Sequence, residues 1–135
     1  MIIGFDYWQV ISHYPDELRH LAKMFTQYGD KLHIVSAVGK DRAGTVARAV
    51  KNKGFDPKLY PVHEVVFDSP AQSPELKLAK CRELGITMFF DDRDDVCKLL
   101  NANGIMAFRV TRRDNRTYDF ERSPTPIDDI LAEQK

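Results

Sequence analysis

Five short apolar runs punctuate the chain, at residues 2–5, 32–36, 62–67, 86–90 and 105–110. Each is rich in β-branched or aromatic residues and none alternates strictly with polar ones, the pattern of strands covered on both faces. Between them lie amphipathic stretches at 15–28, 41–53, 74–84 and 94–103, where apolar residues return at steps of three and four. These predict four crossover helices. Ser73 before Pro74 predicts an N-cap followed by a first-turn proline, and Gly29, Gly54, Gly85 and Gly104 follow the helix ends as left-handed caps. The resulting order, βαβαβαβαβ, demands a parallel sheet with right-handed crossovers and helices on both faces. The expected fold is a Rossmann-like three-layer α/β sandwich with a five-stranded parallel sheet.

Beyond residue 110 the pattern changes. Arg112, Arg113 and Arg116 form a basic loop, followed by a proline-containing turn and a short helical stretch at 127–132. With 135 residues, 43% of them hydrophobic, the chain can build one core but not two ordinary domains. A single domain over 1–135 is expected, with its core in about 1–110. Lys plus Arg and Asp plus Glu both number 20, so no global field draws in nucleic acid or an acidic membrane surface. The apolar stretches fall far short of the roughly 20 residues that span a bilayer, and the N-terminus has no charged leader, so a soluble, cytoplasmic protein is expected. Cys81 and Cys97 lie inside helical patterns without ligand spacing and read as buried, reduced thiols.

In a doubly wound sheet, ligands bind beyond the carboxyl ends of the strands, where the strand order reverses. The first strand ends in Asp6, and the fourth runs into Asp91, Asp92, Arg93, Asp94 and Asp95. Clustered carboxylates repel and raise one another's pKa unless a hard cation or hydrogen-bond donors neutralise them, and Mg²⁺ is the expected cation. Asp94 and Asp95 serve equally well as first-turn charges at the positive end of a helix. Asp6 and Asp91 follow buried strands directly and have no such capping role. Ser36 closes the second strand, just before Ala37, Val38 and Gly39, where a hydroxyl and backbone N–H groups can hold a phosphate oxygen.

These residues resemble a known family. Ile2-Ile3-Gly4-Phe5-Asp6 resembles motif one of the haloacid-dehalogenase-like (HAD-like) hydrolases, Ile34-Val35-Ser36 resembles motif two, and Met88-Phe89-Phe90-Asp91-Asp92 resembles motif four. The last, continued through Val96, looks most like the phosphatase domain of polynucleotide kinase-phosphatases. The resemblance covers roughly residues 1–110 and includes no cap domain. It implies an Asp6 nucleophile attacking phosphorus, Ser36 on the transferring phosphoryl group, and Mg²⁺ held by Asp6, the Trp8 backbone carbonyl, and Asp91 or Asp92. Two departures accompany it. The family's phosphatases carry Asp-x-Asp, whereas Trp8 stands here in place of the second Asp, the acid/base worth roughly 10²- to 10⁴-fold. Dehalogenases with Tyr and phosphonatases with Ala at this position show that chemistry survives other residues there. The motif-three lysine falls at about Ala71, so Lys77 is the expected substitute, with Lys80 its rival.

Other candidates carry less. His13, His20, His33 and His63 lack metal-ligand spacing; His13 alone lies close enough to the first strand to donate a proton. Tyr7 and Trp8 suit stacking on a base or closing the site, or simply packing under a shortened flap. The arginines at 112, 113 and 116 suit nucleic-acid phosphates, but Asp114, Asp119 and Glu121 interleave with them, as in a solvated loop. The expected function is a Mg²⁺-dependent phosphohydrolase acting on a phosphate-bearing substrate, a nucleotide or nucleic-acid end among them, with reduced turnover. The alternative is a HAD-like domain that has lost catalysis and binds a ligand or partner. A capless site suits a macromolecular phosphate ester, or a small one if the chain forms an oligomer whose partner subunit closes the cleft. A response-regulator receiver is disfavoured, because its acidic pair follows strand one rather than strand four.

Overall fold

The structure, a computed structural model, describes residues 1–112. The basic residues Arg113 and Arg116 and the expected helix at 127–132 lie outside the described residues.

Five strands form one all-parallel sheet: β1 (Ile2–Phe5), β2 (Lys31–Gly39), β3 (Val62–Phe67), β4 (Met88–Asp91) and β5 (Met106–Arg109), in the order β3-β2-β1-β4-β5. The helices are α1 (Pro15–Gln27), α2 (Val46–Asn52), α3 (Ser73–Leu84) and α4 (Asp94–Ala102). The chain steps from β1 outward to β3 and then returns past β1 to β4 and β5. Crossovers of one hand running in opposite directions put their helices on opposite faces. The core follows that division. Leu18, Ala22, Val46 and Val50 from α1 and α2 pack with Phe5 and Ile34 on one face. On the other face, Leu78, Cys81, Val96 and Leu100 from α3 and α4 pack with Val35 and Phe89. The expected Rossmann-like sandwich is therefore present.

Several boundaries differ from expectation, each for a physical reason. β2 runs three residues beyond Ser36, because Ala37, Val38 and Gly39 continue pairing with Val65, Val66 and Phe67. The second helix starts at Val46 rather than Asp41. Gly44 interrupts the chain with φ +85°, and the Glu64 carboxylate accepts the N–H groups of Gly44 at 2.7 Å and Val46 at 3.0 Å, capping the helix from β3. Ser73 is not an N-cap but the first residue of α3, after a short helical turn over Pro70–Gln72. The glycine caps stand as expected, with Gly85 at φ +74° ending α3. Cys81 and Cys97 are free and buried, and burial pushes both thiols up to about 12. No described helix is long and apolar enough to cross a membrane.

Candidate active site

The reversal of strand order falls at β1, and its two partners set the site's frame. Gly4 of β1 lies opposite Phe89 of β4, so Asp6 and Asp91 emerge together from the carboxyl ends of neighbouring strands. The Asp6 N–H donates to the Phe90 carbonyl at 2.9 Å, extending the ladder by one bond and fixing the turn-off point. Gly4 is required here: a Cβ would meet the Phe89 ring at 2.5 Å.

Asp6, Asp91 and Asp92 are all buried, with one carboxylate oxygen from each within 4.8 Å of the others. Lys77, from the second turn of α3, reaches into this group. Its Nζ stands 2.5 Å from Asp91 Oδ2 and 3.2 Å from Asp6 Oδ1. Arg112 closes the third side, with Nε 2.6 Å from Asp92 Oδ2. Backbone donors complete the shell: Tyr7 N–H to Asp6 at 2.8 Å and Arg93 N–H to Asp91 at 2.9 Å. When all are ionised, three carboxylates face two cations, which leaves one negative charge in a buried space.

The electrostatics express that imbalance. Burial, and then the charge of Asp91, drive the Asp6 carboxyl well above the usual range despite Lys77. Burial likewise raises Asp91 against the pull of Lys77. Burial of Lys77 favours the neutral amine, but Asp6 and Asp91 reverse this and hold the ammonium above its ordinary pKa. The cluster can hold a metal ion. The donor set fits a hard cation, since it consists of carboxylate oxygens with excess negative charge, and no soft ligand belongs to it.

The site is reached from a cleft of about 560 Å³ lined by Asp6, Asp92 and Lys77, and by Trp8, His13, Arg42, Phe67 and Ser73 among others. Trp8 owes its position to a wide turn over Tyr7–Ile11, closed by the Ser12 N–H donating to the Tyr7 carbonyl at 2.9 Å. Within it Gln9 takes a left-handed φ of +64°, a conformation that costs a non-glycine residue about 1 kcal/mol. Its N–H donates to Ser12 Oγ at 2.8 Å, and that hydroxyl also pairs with His13 Nδ1 at 2.8 Å. The Trp8 ring is 40% exposed, lies 5.0 Å from Tyr7 edge to face, and carries the Arg42 guanidinium 5.5 Å from its centroid.

The structure thus brings Asp6, Lys77, Asp91 and Asp92 into one cluster and sets Trp8 and His13 in the cleft beside it. Ser36 is fully buried on β2 and does not line the cleft, where that strand contributes Ala37, Val38 and Gly39. The Ser36 and Ser73 hydroxyls are both buried without a hydrogen-bond partner among the described residues. Lys80 pairs with Glu83 at 2.5 Å away from the cluster. Asp94 pairs with Lys98 and Asp95 with Arg93, so both act as first-turn charges of α4. Arg112 does not belong to a solvated loop: it is buried against Asp92. That contact spans 20 residues and carries no local signal in the sequence. Ser73 was concealed by its resemblance to an N-cap. No family model and no curated protein matches the chain.

Proposed function

We propose that this protein is a Mg²⁺-dependent, HAD-like phosphohydrolase with Asp6 as its nucleophile. The carrying observation is the buried Asp6, Asp91 and Asp92 cluster against Lys77 and Arg112, one negative charge in excess, at the strand ends where the sheet order reverses. Asp6, Asp91 or Asp92, and the Trp8 carbonyl are the groups to hold Mg²⁺. The bound ion supplies charge neutralisation between an anionic nucleophile and an anionic phosphoryl group. Lys77 opposes the rise in the Asp6 pKa and orients the carboxylate beside the incoming phosphate. The buried Ser73 hydroxyl, which lines the cleft, is a spare donor for a phosphoryl oxygen, whereas Ser36 does not reach the cleft. An Asp6 oxygen bonds to phosphorus as the ester P–O bond breaks, and water then hydrolyses the aspartyl-phosphate to release phosphate.

The cleft, without a cap among the described residues, suits a macromolecular ester or a small one. Nucleic acid is the less supported partner, because Arg112 is occupied by Asp92. A catalytically silent binding domain is the second reading, favoured by Trp8 at the position where the resemblance places the acid. Hydrolysis of phenyl phosphate with Mg²⁺, compared between the native protein and Asp6→Asn, separates the two. The hydrolase reading expects release of phosphate that Asp6→Asn abolishes and chelation suppresses. Metal-dependent ligand binding with no turnover supports the silent domain.

A further inference from the structure

Trp8 is out of place for a packing residue. It is the chain's single tryptophan, yet its ring is 40% exposed, and the turn that carries it contains a left-handed glutamine. That turn sets the indole in the wall of the cleft, two residues beyond Asp6. Arg42, from the turn after β2, lays its guanidinium over the indole, and Phe67 at the end of β3 lines the same cleft. The guanidinium lies over the indole, so the two form one layered platform, and a flat π-system stacks on an outer face of it and not between them. The cleft, at about 560 Å³, also has room for a ligand much larger than a phosphate ion alone.

We infer that the cleft takes a phosphate monoester of a planar aromatic alcohol, its ring stacked on the Trp8 and Arg42 platform and its phosphate directed to Asp6. This rests on the phosphohydrolase reading for the phosphate end only. Chemistry at the ester oxygen points the same way. Position 8 offers an indole, whose N–H is far too weak an acid to protonate a departing alkoxide, so turnover favours a leaving group stable as an anion. In the transfer, the bond from Asp6 oxygen to phosphorus forms, and the aryl oxygen leaves with its electron pair and takes a proton from water. Aryl oxides meet that requirement and alkoxides do not. The feature that removes the acid is thus the feature that binds the ring.

The single tryptophan makes the test direct. Phenyl phosphate and glycerol phosphate are titrated with Mg²⁺ into Asp6→Asn protein, followed by Trp8 fluorescence and by calorimetry, then into the same protein carrying Trp8→Leu. The expected result is a fluorescence change with phenyl phosphate only, and about tenfold tighter binding of that ester. In Trp8→Leu the preference collapses while the affinity for glycerol phosphate is kept. Equal affinities for the two esters, or a preference that survives Trp8→Leu, overturns the inference. Preferential binding of phenyl phosphate without hydrolysis by native protein sinks the hydrolase reading and leaves the stacking site standing. Hydrolysis of both esters at equal rates with no difference in affinity does the reverse. Failure of both esters to bind, to Asp6→Asn and to native protein alike, overturns the stacking site together with the phosphate site beneath it.

Discussion

Lys77 Nζ meets Asp91 Oδ2 at 2.5 Å with both side chains enclosed, so a helix on one face is tied to the end of a central strand by a buried ion pair. Such a pair gains little over apolar residues, but removing one member strands the other's charge. Here the loss is compounded, since Asp6 also leans on the same ammonium at 3.2 Å. Lys77→Met should lower unfolding stability by about 3–5 kcal/mol in urea titration. Saturating Mg²⁺ should return part of that loss, because a divalent cation substitutes for the missing charge. An unchanged urea midpoint would show that the carboxylates simply take up protons.

Gly4 and Phe89 set the spacing of the two strands that carry Asp6 and Asp91. A Cβ at position 4 would lie 2.5 Å and 2.6 Å from ring atoms of Phe89 and 3.1 Å from Ile86. The ring sits in the core and cannot retreat cheaply. Gly4→Ala should cost about 1–3 kcal/mol of stability, read from the denaturant midpoint at constant slope. Phe89→Leu in the same chain should recover part of it, since a smaller side chain vacates the contact. A Gly4→Ala protein as stable as native would mean that the strands part easily.

The fold was legible because its strands, most deeply buried in β1, β2 and β4, stand out as apolar runs between glycine-terminated amphipathic stretches. Legibility failed where a distant side chain set the local structure. Glu64 caps α2 from β3, and Arg112 folds back on Asp92, neither of which a local pattern can announce. Lys77 was named through resemblance to a family. Its position on α3 reads as an ordinary helical lysine until β4 supplies Asp91. His33 and His63, thirty residues apart, looked scattered; pairing of β2 with β3 brings their rings to 5.0 Å.

That histidine pair makes stability sensitive to pH. His33 Nδ1 and His63 Nε2 lie 3.0 Å apart, a hydrogen bond that needs at least one neutral ring. Burial, aided by Lys31, lowers the His33 pKa. Burial, His33 and Lys80 lower that of His63, with Glu83 opposing. A folded pKa below the unfolded value of about 6.5 means that the unfolded chain binds protons first as pH falls. The contribution is therefore complete above that value and is lost as pH drops through the folded pKa values. Between pH 7.5 and 5.5 the native thermal midpoint should fall more than that of His63→Gln, which cannot take the second proton. Parallel pH profiles for the two proteins would rule the pair out as the source.

Under the proposed hydrolase reading, Trp8→Asp tests whether position 8 can supply an acid. A carboxyl at position 8 would stand in the cleft beside Asp6 and Asp92, where neighbouring negative charge and partial burial raise its pKa toward the range useful for proton transfer. It would protonate a departing alkoxide, so kcat for glycerol phosphate should rise by roughly 10²-fold or more. For phenyl phosphate, whose leaving oxygen is stable as an anion, kcat should change little while KM rises with loss of the stacking platform. Asp6→Asn added to Trp8→Asp should abolish both activities, since the new carboxyl donates protons and does not attack phosphorus. A fall in kcat on both esters would mean that the indole does more than stack, and that water exclusion by Trp8 outweighs the missing acid.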